Sequence, residues 1–367
     1  MTHDAGAGSP SPLRAGFLGG GFMGQVHSRA ARAARAVLAG VASSSPASAE
    51  RAAATLGFER AYSSAADLLA DDTIDVVHVV TPNSSHVEHA LAAIEAGKHV
   101  ICEKPLATST ADATRLADAA AAAGVTATVP FVYRFHPMVR EARARVAAGE
   151  TGRLLSVQGS YLQDWLLAPS DDNWRVDAAT GGPSRAFADI GSHLCDLLEF
   201  VTGDRISRVQ ALKRTVFADR ATSHAITTED LVAVLVETRG GAIGTLLVSQ
   251  VAPGRKNRLH LELSGAAETI GFDQEEPETL WLGRRTRSQS LRRNTDELSA
   301  DAARLSVLPP GHPLGYQDAF NAFVADSYAA VRGGEPDGLP TFDDGLRAAT
   351  LTDAVLASAG SGSWIDT

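Results

Sequence analysis

Two short stretches of the sequence place reactive side chains at spacings that suit proton transfer. Lys104 comes shortly after the mostly apolar stretch His99–Cys102, which predicts a lysine at the carboxyl end of a buried strand. Asp189 and His193 are four residues apart, about one helical turn. We therefore expect both side chains to project from one face of a helix, with the carboxylate orienting the imidazole. A histidine titrates in the range that a general base near neutral pH requires, and a partner fixes its tautomer.

The elements that must position Lys104 begin with the run Val76–Val80. Its β-branched residues show no helical period, which predicts a strand buried on both faces of a parallel sheet. Pro82 ends this strand because proline has no backbone N–H, and a helix with apolar residues at every third and fourth position follows. His99–Cys102 is the next predicted strand. Lys104 is thus expected at the carboxyl edge of an open α/β sheet, where ligands bind.

A glycine-rich turn follows the first predicted strand, Leu13–Leu18. Gly19, Gly21 and Gly24 form the pattern G-x-G-x-x-G, with Phe22 and Met23 between the last two glycines, and a helix is predicted from Gln25 to about Arg35. In this context the glycines allow a tight turn, a close approach of the backbone to a pyrophosphate, and close packing of the helix. The pattern predicts a dinucleotide-binding site.

The second predicted strand, Val37–Ala42, ends at Ser43, where the adenosine ribose of a dinucleotide is expected. An acid at this position usually accepts the ribose hydroxyls of NAD, and a nearby arginine accommodates the additional phosphate of NADP. Ser43 supplies no carboxylate to repel that phosphate, but the loop contains no arginine either. The sequence therefore predicts NAD or NADP as the cofactor and does not choose between them.

The longest motif resembles a known family. The stretch TPNSSHVEHALAAIEAGKHVICEKPLA, which begins at Thr81, resembles the signature of the Gfo/Idh/MocA oxidoreductases, NAD(P)-dependent enzymes that act mainly on sugars and cyclitols. The resemblance implies that Lys104 hydrogen-bonds the reacting hydroxyl. It also implies a set of cofactor-lining residues: Thr81, Pro82, Asn83, His86, Glu103 and Lys104.

A second motif carries the same resemblance. The stretch GGPSRAFADIGSHLCD, from Gly181 to Asp196, is similar to the family's D-x-x-x-H motif after a glycine pair. The resemblance implies that His193 is the general base, Asp189 its orienting or substrate-binding partner, and Lys104 the third member. It further implies that the segment with Tyr133 and Arg134 faces the nicotinamide and the substrate, although an aromatic hinge between domains is an equal alternative for that segment.

Aromatic, amide and charged side chains cluster in the predicted loop before the catalytic helix. Such groups suit a sugar, since aromatic faces stack on C–H groups and polar groups bind hydroxyls. The candidate substrate-binding residues are Gln163, Asp164, Trp165, Trp174 and Arg175. This combination also resembles family branches that oxidise glycosides or anhydrosugars such as levoglucosan.

The two halves of the chain predict two domains of different class. Residues 1–12 are expected to be a disordered lead-in, and residues 13–137 a Rossmann NAD(P)-binding domain with a doubly wound parallel α/β sheet. In residues 138–367 several predicted strands alternate apolar and polar residues and are joined by glycine turns, which indicates an α+β domain with a large open, mostly antiparallel sheet. Residues 283–308 are predicted to be irregular. The resemblance implies that this second domain binds substrate and that its sheet forms a homodimer or homotetramer.

Composition excludes several other classes of protein. A formal net charge of −10 over 367 residues argues against a nucleic-acid partner, which requires a basic face. No apolar run approaches the roughly 20 residues that span a bilayer, and the N-terminus lacks the pattern of a secretory signal. Cys102 and Cys195 form no disulfide framework, so we expect a cytoplasmic protein whose partner is a small carbohydrate-like molecule.

Three alternatives follow from the same motifs. His193, Cys195 and Asp196 could suggest a metal site, but they lack a companion group at ligand spacing, so no metal is predicted. A protein of this fold could also bind a dinucleotide as a regulator without catalysis, or use NAD transiently to hydrolyse a glycoside. The joint presence of Lys104, Asp189 and His193 argues against a non-catalytic regulator.

Overall fold

A computed structural model of the protein describes residues 11–294 and 296–367. Most of the predicted N-terminal lead-in, residues 1–10, lies outside the described residues. The described residues form a parallel sheet with flanking helices, followed by a large mixed sheet, and two late helices return to pack against the first sheet.

The first sheet has six parallel strands in the order β3-β2-β1-β4-β5-β6. The strands are β1 (Arg14–Leu18), β2 (Val37–Ala42), β3 (Arg60–Ala61), β4 (Val76–Val79), β5 (His99–Cys102) and β6 (Ala127–Thr128). The connecting helices are α1 (Phe22–Ala33), α2 (Pro46–Leu56), α3 (Ala65–Leu69), α4 (His86–Glu95) and α5 (Thr110–Ala123). All four residues of β4 are buried, as the β-branched run predicts for a central parallel strand. The chain order reverses between β1 and β4, which places the ligand crevice at the carboxyl ends of these strands.

The second sheet has nine strands in the order β14-β13-β12-β11-β7-β10-β9-β8-β15. Its strands are β7 (Leu154–Leu162), β8 (Ile206–Arg214), β9 (Leu231–Thr238), β10 (Ile243–Ser249), β11 (Arg258–Gly265), β12 (Thr269–Asp273), β13 (Thr279–Arg284), β14 (Arg287–Arg292) and β15 (Ile365–Asp366). Only β7 and β10 pair in parallel, and the other neighbours are antiparallel. The predicted combination of a doubly wound parallel sheet and a mostly antiparallel sheet is confirmed.

Helices cover one face of the nine-stranded sheet. The remaining helices are α6 (Pro137–Ala147), α7 (Ala178–Gly181), α8 (Ser192–Thr202), α9 (Ala300–Leu305), α10 (Tyr316–Val331) and α11 (Phe342–Ser361). Alternate residues of the strands form one buried core with α6, α8 and α11. The start of α11 and most of α10 instead belong to the cores of the parallel sheet, so the C-terminal segment joins the cores of both sheets.

The prediction of an irregular segment over residues 283–308 is wrong. The segment contains the edge strand β14 and the short helix α9. β14 shows no apolar alternation because, as the last strand of the sheet, it is exposed on both faces along nearly its whole length. Ser299 begins α9 by accepting a hydrogen bond from the backbone N–H of Ala302.

Candidate active site

The glycine loop forms one wall of the crevice, and its backbone explains the glycine spacing. Gly19 has φ +107°, and a Cβ there would lie 2.7 Å from the Val80 carbonyl oxygen. A Cβ on Gly24 would lie 3.0 Å from the Gly19 carbonyl oxygen, so this glycine lets α1 pack closely on the loop. A Cβ on Gly21 would meet no atom within 4 Å. The open side of Gly21 fits the approach of a pyrophosphate, as the G-x-G-x-x-G pattern requires.

A cleft of about 650 Å³ runs from this loop to Lys104. It brings together nearly all of the predicted cofactor residues: Gly19, Gly21, Phe22, Met23, Ser43, Thr81, Pro82, Asn83, His86, Glu103 and Lys104. Gly24 does not line the cleft and acts through its packing on the loop. The cleft also contains Trp174 and Arg175, which were predicted from the second domain. The residues that are present therefore fit a dinucleotide extended across the carboxyl ends of β1 and β4.

Several side chains fix the walls of this cleft. Ser43 donates a hydrogen bond to the Ser48 hydroxyl, 3.1 Å away at the start of α2. The two ring nitrogens of His86 lie 2.8 Å and 2.9 Å from the carbonyl oxygens of Pro105 and Thr81, which ties α4 to the chain beside Lys104. Burial lowers the pKa of His86.

Asn83 joins the cofactor motif to the second catalytic motif. Its Nδ2 donates to the Gly181 carbonyl oxygen at 2.9 Å. Gly181 also lets the backbone of Arg175 pack closely, since a Cβ there would lie 2.6 Å from the Arg175 carbonyl oxygen. The two motifs recognised in the sequence are thus in direct contact.

Lys104 and Asp189 form the centre of the site. Lys104 Nζ donates to Asp189 Oδ1 at 2.7 Å and to the Asp189 carbonyl oxygen at 3.0 Å. Gln250, at the end of β10, donates from Nε2 to Asp189 Oδ2 at 2.9 Å. Burial alone favours the neutral acid, but the charges of Lys104 and Arg175 hold the pKa of Asp189 at about 2. The carboxylate is therefore ionised and fixes the lysine ammonium group.

The expected pairing of Asp189 with His193 is wrong. No hydrogen bond joins the two side chains in the described structure, and the Asp189 carboxylate is occupied by Lys104 and Gln250. The physical reason is local. A π-helical turn, Phe187–Gly191, precedes α8, and its hydrogen bonds span five residues, so side chains four apart no longer lie above one another.

His193 instead lies in an aromatic box with its Nδ1 buried and lacking a hydrogen-bond partner among the described residues. The rings of Tyr133 and Phe131 meet the imidazole edge to face at centroid distances of 5.0 Å and 5.6 Å. Burial lowers the pKa of His193 to about 3, and the positive charge of Lys104 acts in the same direction. The imidazole is therefore neutral near pH 7, with a pKa below the near-neutral range expected of a general base from the sequence.

A buried glutamate that sequence reasoning missed holds the π-helical turn. Glu229 Oε1 accepts hydrogen bonds from the Ser184 hydroxyl at 2.7 Å and from the backbone N–H groups of Arg185 and Phe187 at 3.0 Å each. Glu229 is fully buried. A carboxylate with three donors at the start of the turn fixes the backbone that carries Asp189.

A hydrogen-bonded group of phenol and amide side chains lies beside His193, with the Tyr133 and Tyr161 rings at centroid distances of 5.0 Å and 6.4 Å from the imidazole. Asn257 donates to the Tyr133 hydroxyl at 3.1 Å and accepts from the Tyr161 hydroxyl at 2.8 Å. Gln163 Nε2 also donates to Asn257 Oδ1 at 2.8 Å, and Gln163 accepts from Trp165 Nε1 at 2.7 Å. Tyr133, a predicted substrate residue, thus lies beside His193 and is joined to Tyr161 through Asn257.

Trp174 and Arg175 close the cleft from the loop before α7. The Arg175 guanidinium carbon lies 4.4 Å from the Trp174 ring centroid, and Arg175 Nε lies 3.7 Å from Asp189 Oδ1. Both side chains line the cleft, as the interpretation of this loop as a binding loop requires.

Two predicted substrate residues, Arg134 and Asp164, bind other side chains and do not line the cleft. Arg134 is buried and forms ion pairs with Asp196 and Asp344, so it joins α8 to α11 instead of facing a substrate. Asp164 accepts hydrogen bonds from Lys256 Nζ at 2.7 Å and from the Gly254 backbone at 3.1 Å. These contacts are long-range, so the sequence could not show that both side chains already have partners.

Gln250, Asn257 and Glu229 carried no signal in the sequence. Each lies at or near the end of a strand in the second sheet, and pairing of β10 with β7 and of β7 with β11 brings the first two to the site. No group of histidine, cysteine, aspartate or glutamate residues suited to a metal ion occurs within residues 11–294 and 296–367. No helix in the same ranges is long and apolar enough to cross a membrane.

Comparison with known proteins agrees with this geometry. Residues 13–131 match the family model for the NAD-binding Rossmann fold of the GFO_IDH_MocA oxidoreductases, and residues 139–270 match a GFO/IDH/MocA C-terminal domain. The chain therefore belongs to the Gfo/Idh/MocA oxidoreductase family.

Similar proteins cover almost the whole chain. The levoglucosan dehydrogenase of Pseudarthrobacter phenanthrenivorans is 31% identical over 394 aligned positions, which span 96% of this chain and 98% of that protein. A solved structure of levoglucosan dehydrogenase with NADH and levoglucosan has a TM-score of 0.91 at 31% identity, covering 97% of this chain and 99% of the other. An oxidoreductase domain protein from Kribbella flavida has a TM-score of 0.90 at 35% identity, with the same coverage.

Proposed function

We propose that this protein oxidises a secondary hydroxyl group of a sugar, anhydrosugar, glycoside or cyclitol with NAD or NADP, or reduces the corresponding ketone. The observation that carries the proposal is the ammonium group of Lys104, held by Asp189 at 2.7 Å beside the neutral imidazole of His193. This arrangement lies at the end of a cleft whose other end is the glycine loop.

Lys104, Asp189 and His193 have different roles in the proposed reaction. Bound NAD(P) supplies the hydride acceptor, the nicotinamide ring. Lys104 stabilises negative charge on the reacting oxygen, and the Asp189 carboxylate holds the ammonium group in place. His193 takes the hydroxyl proton while the C–H bond breaks, so the products are a ketone, a reduced dinucleotide and a proton on the imidazole.

The substrate end of the cleft supports a compact, hydroxyl-rich substrate. Trp174 offers an aromatic face, and the Arg175 guanidinium group offers donors for hydroxyl groups. The similarity to levoglucosan dehydrogenase over almost the whole chain favours an anhydrosugar as the first compound to test.

Reduced-nicotinamide absorbance tests the proposal. Purified protein is incubated with NAD and with NADP against anhydrosugars, sugars, glycosides and inositols, and we expect substrate-dependent reduction with at least one class. Tight dinucleotide binding without turnover would favour the regulator instead. Cleavage of a glycoside with no net change in reduced dinucleotide would favour the hydrolase.

We also propose that identical chains associate through the outer face of the nine-stranded sheet. Leu212 and Leu235 are 74% and 45% exposed on this face, which carries a groove of about 810 Å³. We expect light scattering to give a homodimer or homotetramer. Leu212→Lys with Leu235→Lys should reduce the mass toward that of a monomer, whereas Val307→Lys, at an exposed site outside the sheet, should not.

We further propose a cytoplasmic location. The thiols of Cys102 and Cys195 are both free and buried, and free thiols are typical of a reducing compartment. Recovery of the activity in the cytosolic fraction of lysed cells is the expected result. Recovery in the culture medium or the membrane fraction would contradict it.

A further inference from the structure

A buried chain of hydrogen bonds leads from the cofactor cleft to the C-terminal part of the protein. Glu103 Oε1 lies 2.9 Å from His27 Nε2, His27 Nδ1 lies 2.9 Å from His78 Nδ1, and His78 Nε2 lies 2.8 Å from the Tyr328 hydroxyl. None of these four residues is more than 5% exposed. The reaction proposed above uses none of His27, His78 and Tyr328.

The four residues come from four separate elements: the end of β5, α1, β4 and α10. Apolar rings surround the two imidazoles. His78 stacks on Phe17 at a centroid distance of 4.4 Å, and His27 lies 4.7 Å from the Phe320 ring. Buried polar groups in such surroundings require hydrogen-bond partners, so the chain is expected to be fully satisfied.

The geometry restricts where the protons lie. Two Nδ1 atoms at 2.9 Å require one to donate and the other to accept. If His27 is neutral, His78 Nδ1–H donates to it and Tyr328 donates to His78. If His27 is cationic, His78 accepts from it and donates to Tyr328. In both arrangements His27 presents Nε2–H to Glu103.

Both arrangements require Glu103 to be an ionised acceptor. Burial favours the neutral acid, but the hydrogen bond from His27 and the charges of His27 and Lys104 lower the pKa of Glu103. The second carboxylate oxygen accepts the backbone N–H of Lys104 at 3.1 Å. Glu103 also lines the cofactor cleft beside Lys104, so its remaining lone pairs are available to a ligand at the end where hydride transfer is proposed.

We propose that His27, with His78 and Tyr328 behind it, is a positioning residue that fixes Glu103 as the acceptor for a hydroxyl or amide donor on the nicotinamide–ribose half of the dinucleotide. This inference rests on the proposed function, since it requires the cleft to bind NAD(P). The helix α1 would then position Glu103 through His27, in addition to binding phosphate at its N-terminus.

Dinucleotide affinity, measured by titration calorimetry without substrate, tests the inference. His27→Leu removes the donor and should weaken NAD(P)H binding about tenfold or more, because hydrogen bonds to charged groups are among the stronger ones. His27→Gln keeps an N–H donor at the same reach and should stay within about threefold of wild type. Glu103→Gln should weaken binding about as much as His27→Leu.

The double variant gives the sharpest result. If His27 acts through Glu103, combining His27→Leu with Glu103→Gln should cost no more than Glu103→Gln alone. Additive losses would overturn the inference. If wild-type protein fails to bind either dinucleotide, the proposed function itself fails, and the two failures are therefore distinguishable.

Tyr328→Phe keeps the test decisive if His27→Leu does not fold. This change removes one hydroxyl from the far end of the chain and should weaken dinucleotide binding about threefold to tenfold. Tyr62→Phe is the matched control, because the buried Tyr62 side chain also donates its hydroxyl hydrogen to another side chain, the partly exposed Asp71, away from the glycine loop. Equal dinucleotide affinity in wild type, Tyr328→Phe and Tyr62→Phe would contradict a positioning role for the chain.

Discussion

The proposed site has a nucleotide half, formed by the glycine loop and the strand ends, and a substrate half, formed by the side chains around Asp189 and His193. The two halves are built on different principles. At the nucleotide half the main-chain loop Gly19–Gly24 and the ends of parallel strands form the walls, and a Cβ at Gly19 would collide with backbone. At the substrate half Asp189, Gln250 and Asn257 come from distant segments and act through side chains. Shape therefore dominates the first half and electrostatic positioning the second. Substitutions in the two halves should affect different quantities.

The largest difference between the loss of turnover and the loss of dinucleotide affinity is expected at His193. His193→Ala removes the proposed base and should lower turnover by about 10²- to 10⁴-fold, while NAD(P)H affinity stays within about threefold of wild type. Steady-state kinetics and calorimetry on the same preparation measure both quantities. A fall in dinucleotide affinity as large as the fall in turnover would show that His193 is structural.

The converse change is Gly19→Ala. The residue has φ +107°, and the new Cβ would lie 2.7 Å from the Val80 carbonyl oxygen, so the loop must shift and dinucleotide affinity should fall at least tenfold. Gly97→Ala is the matched control, since Gly97 has φ +71° and no atom near its Cβ position. It should lower the melting temperature without changing dinucleotide affinity. Unchanged affinity in Gly19→Ala would contradict the role assigned to the loop.

A smaller effect in the substrate half is expected at Gln250. Gln250→Leu removes the second donor to Asp189, so the Lys104–Asp189 pair should lose part of its fixed geometry and turnover should fall about tenfold. Calorimetry should show unchanged dinucleotide affinity. Turnover equal to that of wild type would mean that Lys104 alone is sufficient to hold the carboxylate.

The smallest effect concerns the stability of the fold and is expected at His136. Burial lowers the pKa of His136 to about 4, whereas an unfolded histidine has a pKa near 6.5. Between these values the unfolded chain binds a proton that the folded chain does not, so the free energy of unfolding falls as the pH falls. One such histidine contributes a slope of about 1.4 kcal/mol per pH unit.

Denaturant unfolding of wild type and His136→Leu at several pH values between pH 4.5 and 6.5 measures this slope. The variant should show a weaker pH dependence by up to the contribution of one histidine. An identical slope in both proteins would indicate that His136 keeps its ordinary pKa in the folded state.

The same contrast explains how much the sequence could predict. Gly19–Gly24 and the residues from Thr81 to Lys104 are contiguous in the chain, and the strand–turn–helix rules place them at one sheet edge. The parallel sheet and the cofactor cleft therefore followed from local patterns. The antiparallel sheet followed from alternation and glycine turns.

The substrate half could not be predicted to the same extent. The spacing of Asp189 and His193 presumes α-helical geometry, and the π-helical turn changes which side chains meet. Gln250 reaches Asp189 only through strand pairing, and Arg134 pairs with Asp344, which is 210 residues away. Such partners leave no periodic pattern in the sequence.

Lys104 provides the most direct test of the account, because it lies where the two halves meet. Lys104→Met keeps the length of the side chain and removes its charge, and Lys98→Met, a buried lysine that donates to the Asp71 carbonyl oxygen, is the control. Turnover and NAD(P)H affinity are measured together with the substrate found in the absorbance screen. We expect Lys104→Met to lower turnover by about 10²- to 10³-fold while dinucleotide affinity is retained. Lys98→Met should show no such loss of turnover. Turnover within about threefold of wild type in Lys104→Met would contradict the proposal that this lysine stabilises the reacting oxygen.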